Sequence, residues 1–153
     1  MLPHTHFLLP FTIAYYLSSK GLMTFKMALL AGLVGVLIDL DHLLEYFLHT
    51  HKLSLIGVWN NSLHFHRFKQ RTIIHRWKGA LLVTLLIILT FLISEVVALA
   101  IAIGYYSHLI LDYVYLKLGY FSFKLGKIYF KESYFEIILD VLFLLILLKL
   151  FIS

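Results

Sequence analysis

The chain contains no cysteine, only two prolines and few charged residues among its 153 residues. Without cysteine, disulfides and thiolate ligands are excluded, so any metal ion must be held by histidine, aspartate or glutamate. Charged residues make up 14% of the chain, against about a quarter in ordinary soluble domains. At 61% hydrophobic residues, the apolar side chains exceed what one small core can enclose. We therefore expect an integral membrane protein, with residues 1–153 forming a single membrane-embedded helical domain.

The apolar sequence divides into five candidate helices. Crossing about 30 Å of hydrocarbon takes about 20 helical residues. The apolar run from Gly79 to about Leu118 is about twice that length and is broken only at Ser94-Glu95, so we expect it to fold back there, with Ser94 capping the second helix. The expected fold class is all-α, a bundle of about five helices with four or five of them transmembrane and a polar metal site at one membrane face. The predicted segments are residues 4–18, 24–48, 78–93, 95–116 and 133–151, with a polar region at 49–76 and a polar and aromatic loop, "KLGYFSFKLGKIYFKES", before the last segment.

The polar residues of these segments are expected at one membrane face. Helices that alternate in direction bring together the starts of segments 1, 3 and 5 and the ends of segments 2 and 4. All nine histidines fall at these ends or in the polar region, at positions 4, 6, 42, 49, 51, 64, 66, 75 and 108. On regular helices, His108 shares a face with Asp112, and Asp39 shares one with His42. Asp41 lies about 200° from Asp39, so it joins the same site only if the helix is distorted there or if it acts from behind a ligand.

Imidazole and carboxylate groups together form the ligand set of zinc, manganese and iron sites. For one pair alone, a hydrogen bond that holds two helices together is the simpler explanation. Two pairs and two further histidines at one face favour a metal centre, because ionisable groups at membrane depth are costly and tend to pair, relay protons or bind ions. We expect one or two divalent ions, zinc first, with manganese or iron as alternatives. The expected ligands are His6, Asp39, His42, His75, His108 and Asp112.

Four stretches, taken in order, resemble the DUF457 (YdjM-like) family of small inner-membrane proteins of bacteria and archaea, which is described as metal-dependent hydrolases. The family pattern is a histidine before the first apolar helix, then Pro-Asp-x-Asp-His, His-Arg-x-x-Thr-His and Gly-x-x-Ser-His-x-x-x-Asp. The corresponding stretches here are "THFLLPF", "LIDLDHLL", "KQRTIIHRW" and "GYYSHLILDY". The likeness covers about residues 4–120.

Three positions depart from the family pattern. Ile38 stands where the family has proline, Gln70 where it has the first histidine of its third motif, and Ile74 where it has threonine. If Gln70 replaces a ligand, the site holds fewer metal ions, binds them more weakly or recruits another group, and His66 is the nearest spare imidazole. The Ser-His-x-x-x-Asp element is also similar, more loosely, to one in zinc-dependent phospholipase C enzymes.

The resemblance and the residues together lead to a hypothesis of phosphoester hydrolysis on a lipid or amphipathic substrate. The metal would activate a water molecule and polarise the scissile phosphoryl oxygen. Asp41 or Asp39 would act as general base, and Arg71 would bind a phosphate oxygen. The expected partners are membrane lipids, with no nucleic acid, because basic residues that flank spans meet lipid phosphates. The oligomeric state is not predicted.

Two other functional classes stay open. A transporter coupled to protons or metal ions would need polar residues that continue to the far face, where segments 3 and 5 have almost none. A non-catalytic membrane subunit would hold a fully coordinated structural metal.

Most of the 13 lysine and arginine residues are placed at the site face. The positive-inside rule therefore puts that face and the N-terminus in the cytoplasm, in a multi-pass protein of the cell (inner or plasma) membrane.

Overall fold

The computed structural model of the chain describes residues 2–62, 74–114 and 118–152. The described residues are mostly helical, which confirms the coarser part of the predicted fold class. They also contain a two-stranded sheet, so the expectation of an all-α protein was wrong in this respect. The elements are α1 Pro3–Ser19, α2 Phe25–Leu37, α3 Leu40–Thr50, α4 Leu55–Asn60, α5 Trp77–Phe91, α6 Glu95–Val114, β1 Tyr120–Leu125, β2 Ile128–Ser133 and α7 Tyr134–Ile152.

The long apolar run folds back where the sequence predicted. α5 ends at Phe91 and α6 begins at Glu95. The hydroxyl of Ser94 accepts a hydrogen bond from the amide of Val97 at 3.5 Å, which satisfies one of the free amides in the first turn of α6. This reversal sets α5 against α6.

The centre of the bundle is formed by α1, α2 and α6, which approach one another closely along small residues of α2. A Cβ atom added to Gly35 would overlap the backbone oxygen of His6, and one added to Gly104 of α6 would lie 2.6 Å from the backbone oxygen of Ala31. Small side chains allow helix backbones to meet in this way, as at helix contacts in membranes. α7 packs on the outer side of α1. The backbone of α2 is therefore near enough to both neighbours to hydrogen-bond their side chains.

The predicted segment 24–48 is two successive helices with a tightened turn between them. At Ile38–Asp39 the hydrogen bonds change to the i→i+3 type, from the amide of Asp39 to the oxygen of Val36 and from the amide of His42 to the oxygen of Asp39, each at 3.1 Å. The turn forms although Ile38 stands where the resembled family has proline. This tightened turn is the helix distortion that allows Asp39 and Asp41 to serve the same site.

The aromatic stretch after α6, expected to be a loop, is an antiparallel hairpin. Tyr120 pairs with Ser133 and Leu125 pairs with Ile128, on either side of a two-residue turn. Gly126 has a φ of 60°, as required at the first central position of a type II′ turn. Aromatic residues in both flanking runs favour strands, so the signal was present in the sequence. α4 packs on β2, where the indole of Trp59 donates to the backbone oxygen of Tyr129 at 2.7 Å.

Among the described residues, two helical stretches are long and apolar enough to cross a membrane, Phe25–Thr50 and Glu95–Val114. Trp77–Phe91 is apolar but shorter. In α5 the only buried residue is Gly79, and its leucine and isoleucine side chains are largely exposed. A helix that is apolar around its whole circumference and still exposed is typical of contact with lipid.

Candidate metal centre

Six predicted ligands from four parts of the chain lie together at one end of the bundle. α1 supplies His6 in its second turn, the α2–α3 turn supplies Asp39, and α6 supplies His108 and Asp112 one turn apart. His75 precedes α5 and faces α6. We call this group, with His42, the histidine–aspartate centre. Its members are His6, Asp39, His42, His75, His108 and Asp112.

Two overlapping triads within the centre have the geometry of a metal site. In the first, His6, His108 and Asp112 each offer one ligand atom, and these atoms lie within 4.8 Å of one another. In the second, Asp39, His75 and His108 do the same. His6 Nε2 is 3.4 Å from Asp112 Oδ1, and His108 Nε2 is 3.6 Å from Asp39 Oδ1. Because His108 belongs to both triads, the centre offers room for one shared ion or two neighbouring ions.

The tautomers of His75 and His108 are set by oxygen atoms behind the rings. His108 Nδ1 lies 2.7 Å from the backbone oxygen of Gly35, which can only accept, so Nδ1 donates. His75 Nδ1 lies 3.1 Å from Asp41 Oδ2, and an ionised carboxylate also only accepts. In the neutral rings both Nε2 atoms therefore carry lone pairs, yet they are 2.9 Å apart. A bound cation, or a proton on one ring, removes the repulsion between them.

Asp41 lies on the opposite side of His75 from the converging ligand atoms. The sequence suggested Asp41 as a general base or as a residue acting behind a ligand. Its contact with Nδ1 of His75 corresponds to the second arrangement, in which a carboxylate orients a metal-binding histidine. Asp39 lies on the ligand side, so the tightened turn gives the two carboxylates different positions.

The centre has a buried floor and an open rim. The side chains of His6 and His108 are 1% and 0% exposed, and their rings stack with centroids 3.9 Å apart. Asp112 is 33% exposed, and Asp39 and His42 are each 23% exposed. His42 stands at this rim, with Nε2 3.6 Å from Asp39 Oδ1, outside the two triads. The buried residues, which form the floor, can hold the geometry of the ligand atoms. The partly exposed residues, which form the rim, can be reached by water or a substrate.

The two other histidines of the polar region that the structure describes, His49 and His51, do not join the centre. His49 lies 2.8 Å through Nδ1 from the backbone oxygen of Glu45 in its own helix, and His51 ends α3 with a φ of 55°. Both are exposed, as expected for solvated loop residues. Gln70 and three residues singled out by the sequence lie outside the described residues: His64, His66 and Arg71.

Two carboxylates of α7 lie outside the histidine–aspartate centre. Glu136 lies in the first turn of α7, where a carboxylate complements the helix dipole. It is buried, and its two oxygens accept hydrogen bonds from the amides of Leu2 at 2.6 Å and Ser133 at 2.9 Å, which joins the starts of α1 and α7. Asp140 was not considered, although an acidic residue inside "YFEIILDVLFLL" was a visible signal. It contacts His4.

Comparison of the chain with models of protein families, with curated protein sequences and with solved structures found no match. The resemblance to the DUF457 family therefore depends on the quoted motifs alone. Function has to be argued from the chemistry of the histidine–aspartate centre.

Proposed function

We propose that this chain is a membrane-embedded, metal-dependent hydrolase that cleaves a phosphoester of a lipid or other amphipathic substrate. The observation that supports the proposal most is the meeting of three histidines with Asp39 and Asp112, both of which are partly exposed. These residues are far apart in the chain. Bringing their carboxylates and lone pairs together costs free energy unless an ion or a proton neutralises them.

The donor set fits a divalent transition ion. Imidazole nitrogen and carboxylate oxygen are ligands of Zn²⁺, with Mn²⁺ and Fe²⁺ as alternatives. His6, His75 and His108 would offer Nε2, and Asp39 and Asp112 would each offer a carboxylate oxygen, to the one or two ions of the centre. Such an ion supplies Lewis-acid polarisation of a phosphoryl oxygen and makes water more acidic.

The residues around the centre have distinct roles in this proposal. Gly35 and Asp41 fix the rings of His108 and His75 through their Nδ1 atoms, so that the lone pairs of Nε2 face the substrate side. Asp39, partly exposed at the rim, would bind the ion through one carboxylate oxygen and take the proton from the attacking water with the other. Arg71 binds a phosphate oxygen of the substrate, a role that stays a prediction from the sequence.

The surroundings of the centre support an anionic, lipid-like substrate. Arg76 and Lys78 are exposed immediately after His75, where they can attract a phosphate group. α5 and α7 expose apolar side chains along their length. We propose that α1, α2 with α3, α5, α6 and α7 provide four or five membrane crossings. The centre then lies at the cytoplasmic interface, where a lipid headgroup can enter while its acyl chains stay in the bilayer.

The open rim favours hydrolysis over a non-catalytic subunit with a structural metal, because structural sites have all their positions filled by protein ligands. A transporter would need polar groups beyond the centre. The buried residues of α2 are Ala28, Ala31, Gly32 and Gly35, so this helix offers no polar path.

The proposal is tested by assaying the purified full chain, loaded with Zn²⁺ or Mn²⁺ in mixed micelles, against a phosphomonoester lipid and a phosphodiester lipid. Release of inorganic phosphate or of the headgroup is measured, with metal content determined in the same samples. We expect turnover of one lipid class by the wild type and none by His108→Ala. Turnover that persists in His108→Ala, or a wild type that binds metal but cleaves neither class, would contradict the proposal.

A further inference from the structure

A second group of ligand-type side chains lies between α1, the end of β2 and α7. His4 Nε2 is 2.8 Å from Asp140 Oδ2 and 3.1 Å from Glu132 Oε1. One ligand atom from each of the three residues lies within 4.8 Å of the other two. One imidazole and two carboxylates are a donor set that binds Zn²⁺ or Mn²⁺.

This group is separate from the histidine–aspartate centre. His4 and His6 are two residues apart in α1, which places them about 200° apart around the helix. His6 faces Asp39 and Asp112, whereas His4 faces β2 and α7. The backbone of α1 therefore lies between the two groups.

Asp140 is the least expected member of the group. The residue is 9% exposed, inside an otherwise apolar helix. Its Oδ2 accepts a hydrogen bond from the buried hydroxyl of Thr5 at 3.1 Å. Its Oδ1 is buried and has no hydrogen-bond partner within the described part of the chain. A buried carboxylate oxygen without a partner is costly, and a bound cation removes that cost.

Among the described residues, negative charges outnumber positive ones at this place. Three carboxylates meet at the start of α7, those of Glu132, Glu136 and Asp140. Within the described residues, the ion pairs of Glu132 and Asp140 are with His4 alone. Even a protonated His4 supplies one positive charge against the two carboxylates that it contacts. A divalent cation bound by a neutral His4, Glu132 and Asp140 would balance the two carboxylates that hold it.

We propose that His4, Glu132 and Asp140 form a second divalent-cation site, which fastens the first turn of α1 to β2 and α7. Its role is to hold α1 in place. Because His6 follows His4 by two residues, an ordered first turn also orders a ligand of the histidine–aspartate centre. This proposal does not depend on the hydrolase activity.

The test is a count of bound ions. The full chain is purified in detergent, stripped with a chelator and dialysed against Zn²⁺ or Mn²⁺, and bound metal is measured per chain by elemental analysis. The variants are Asp140→Asn and Glu132→Gln, the second of which changes a residue that is 25% exposed and is expected to keep the fold. Glu45→Gln is the matched control, since Glu45 and His49 form a pair of similar exposure, 3.8 Å apart, that belongs to no such group of three within the described residues.

We expect Glu132→Gln and Asp140→Asn each to bind one ion fewer than wild type, and Glu45→Gln to bind the wild-type number. Wild-type stoichiometry in Glu132→Gln would overturn the proposal, whether or not Asp140→Asn folds. His108→Ala separates the two sites. If His108→Ala is the only variant that binds one ion fewer than wild type, the second site fails and the histidine–aspartate centre stands. If only Glu132→Gln loses one, the second site stands and the metal of the proposed hydrolase fails.

Discussion

The Nε2 atoms of His75 and His108 face each other at 2.9 Å, while both Nδ1 atoms are held by oxygen acceptors. Neutral rings fixed in this way repel each other through their lone pairs. The backbone oxygen of Gly35 cannot change its role, so His108 keeps Nε2 as an acceptor in its neutral form. This arrangement fits either a cation bound between the two rings or a proton shared by them.

Replacing His108 by asparagine removes the Nε2 lone pair but keeps a donor for the oxygen of Gly35. Since His108 belongs to both triads, we expect the affinity for Zn²⁺ to fall by at least about 100-fold, because even partners behind a ligand contribute about 10–100-fold. Equilibrium dialysis with elemental analysis measures this change. His49→Asn, at an exposed residue outside the centre, is the control and should bind as wild type. Equal affinity in both variants would remove His108 from the ligand set.

Asp41→Asn separates orientation of a ligand from general-base catalysis. The amide can leave its own donor facing Nδ1 of His75, so the ring is no longer held and metal affinity should fall about 10–100-fold. At saturating metal, we expect phosphoester cleavage to recover most of its wild-type rate. A rate that stays low with the site fully loaded would show that Asp41 acts on the reacting water itself.

The helical plan of the chain could be predicted because the apolar runs are long and their one polar interruption, at Ser94-Glu95, carries a capping residue. The ligands were also accessible, since His108 and Asp112 have the spacing of one helix face and their position in apolar sequence is unusual. What periodicity cannot give is contact between elements. The stacking of His6 on His108 depends on how closely α1, α2 and α6 approach, which is decided by Gly35 and Gly104.

The hairpin and Asp140 show two different reasons for error. In the hairpin, the Gly-Lys turn between aromatic runs indicates two paired strands. Its lysines and its place between apolar helices favoured the interpretation as a loop. Asp140 has no local partner, because His4 is at the other end of the chain. A lone acidic residue in an apolar helix predicts that some partner exists, and only the packing of α7 on α1 identifies it.

Gly35→Ala tests the close approach of α1 and α2. In most helices this change stabilises by about 0.5–1 kcal/mol, because alanine loses less backbone entropy than glycine. Here the added methyl group meets the backbone oxygen of His6, which cannot move without shifting α1. We expect a net loss of about 1–3 kcal/mol, typical of overpacking, together with weaker metal binding.

Unfolding of Gly35→Ala in detergent, followed by circular dichroism, gives the change in stability. Leu33→Ala, on an exposed part of the same helix, is the control and should leave metal binding unchanged. A Gly35→Ala protein that is more stable than wild type would show that helix propensity outweighs the contact and that the two backbones are farther apart.

Glu136→Gln tests the carboxylate that joins the starts of α1 and α7. Both of its oxygens accept backbone amides, and in glutamine one oxygen becomes an NH₂ group that faces a donor. Loss of a buried, charge-assisted hydrogen bond costs about 1–3 kcal/mol, so the midpoint of thermal unfolding should fall. Glu95→Gln is the matched control, because Glu95 is also a first-turn glutamate but is exposed. Equal midpoints for the two variants would argue against the bridge.

The proposed orientation can be tested cleanly because the chain has no cysteine. Lys20 and Lys52 are exposed and lie beyond opposite ends of the candidate span Phe25–Thr50. With the centre at the cytoplasmic face, Lys20→Cys should react with a membrane-impermeant maleimide in intact cells, and Lys52→Cys only after permeabilisation. The reverse pattern would keep the span and invert the orientation. Reaction of both cysteines in intact cells would exclude Phe25–Thr50 as a membrane crossing, and with it the interfacial position of Asp39.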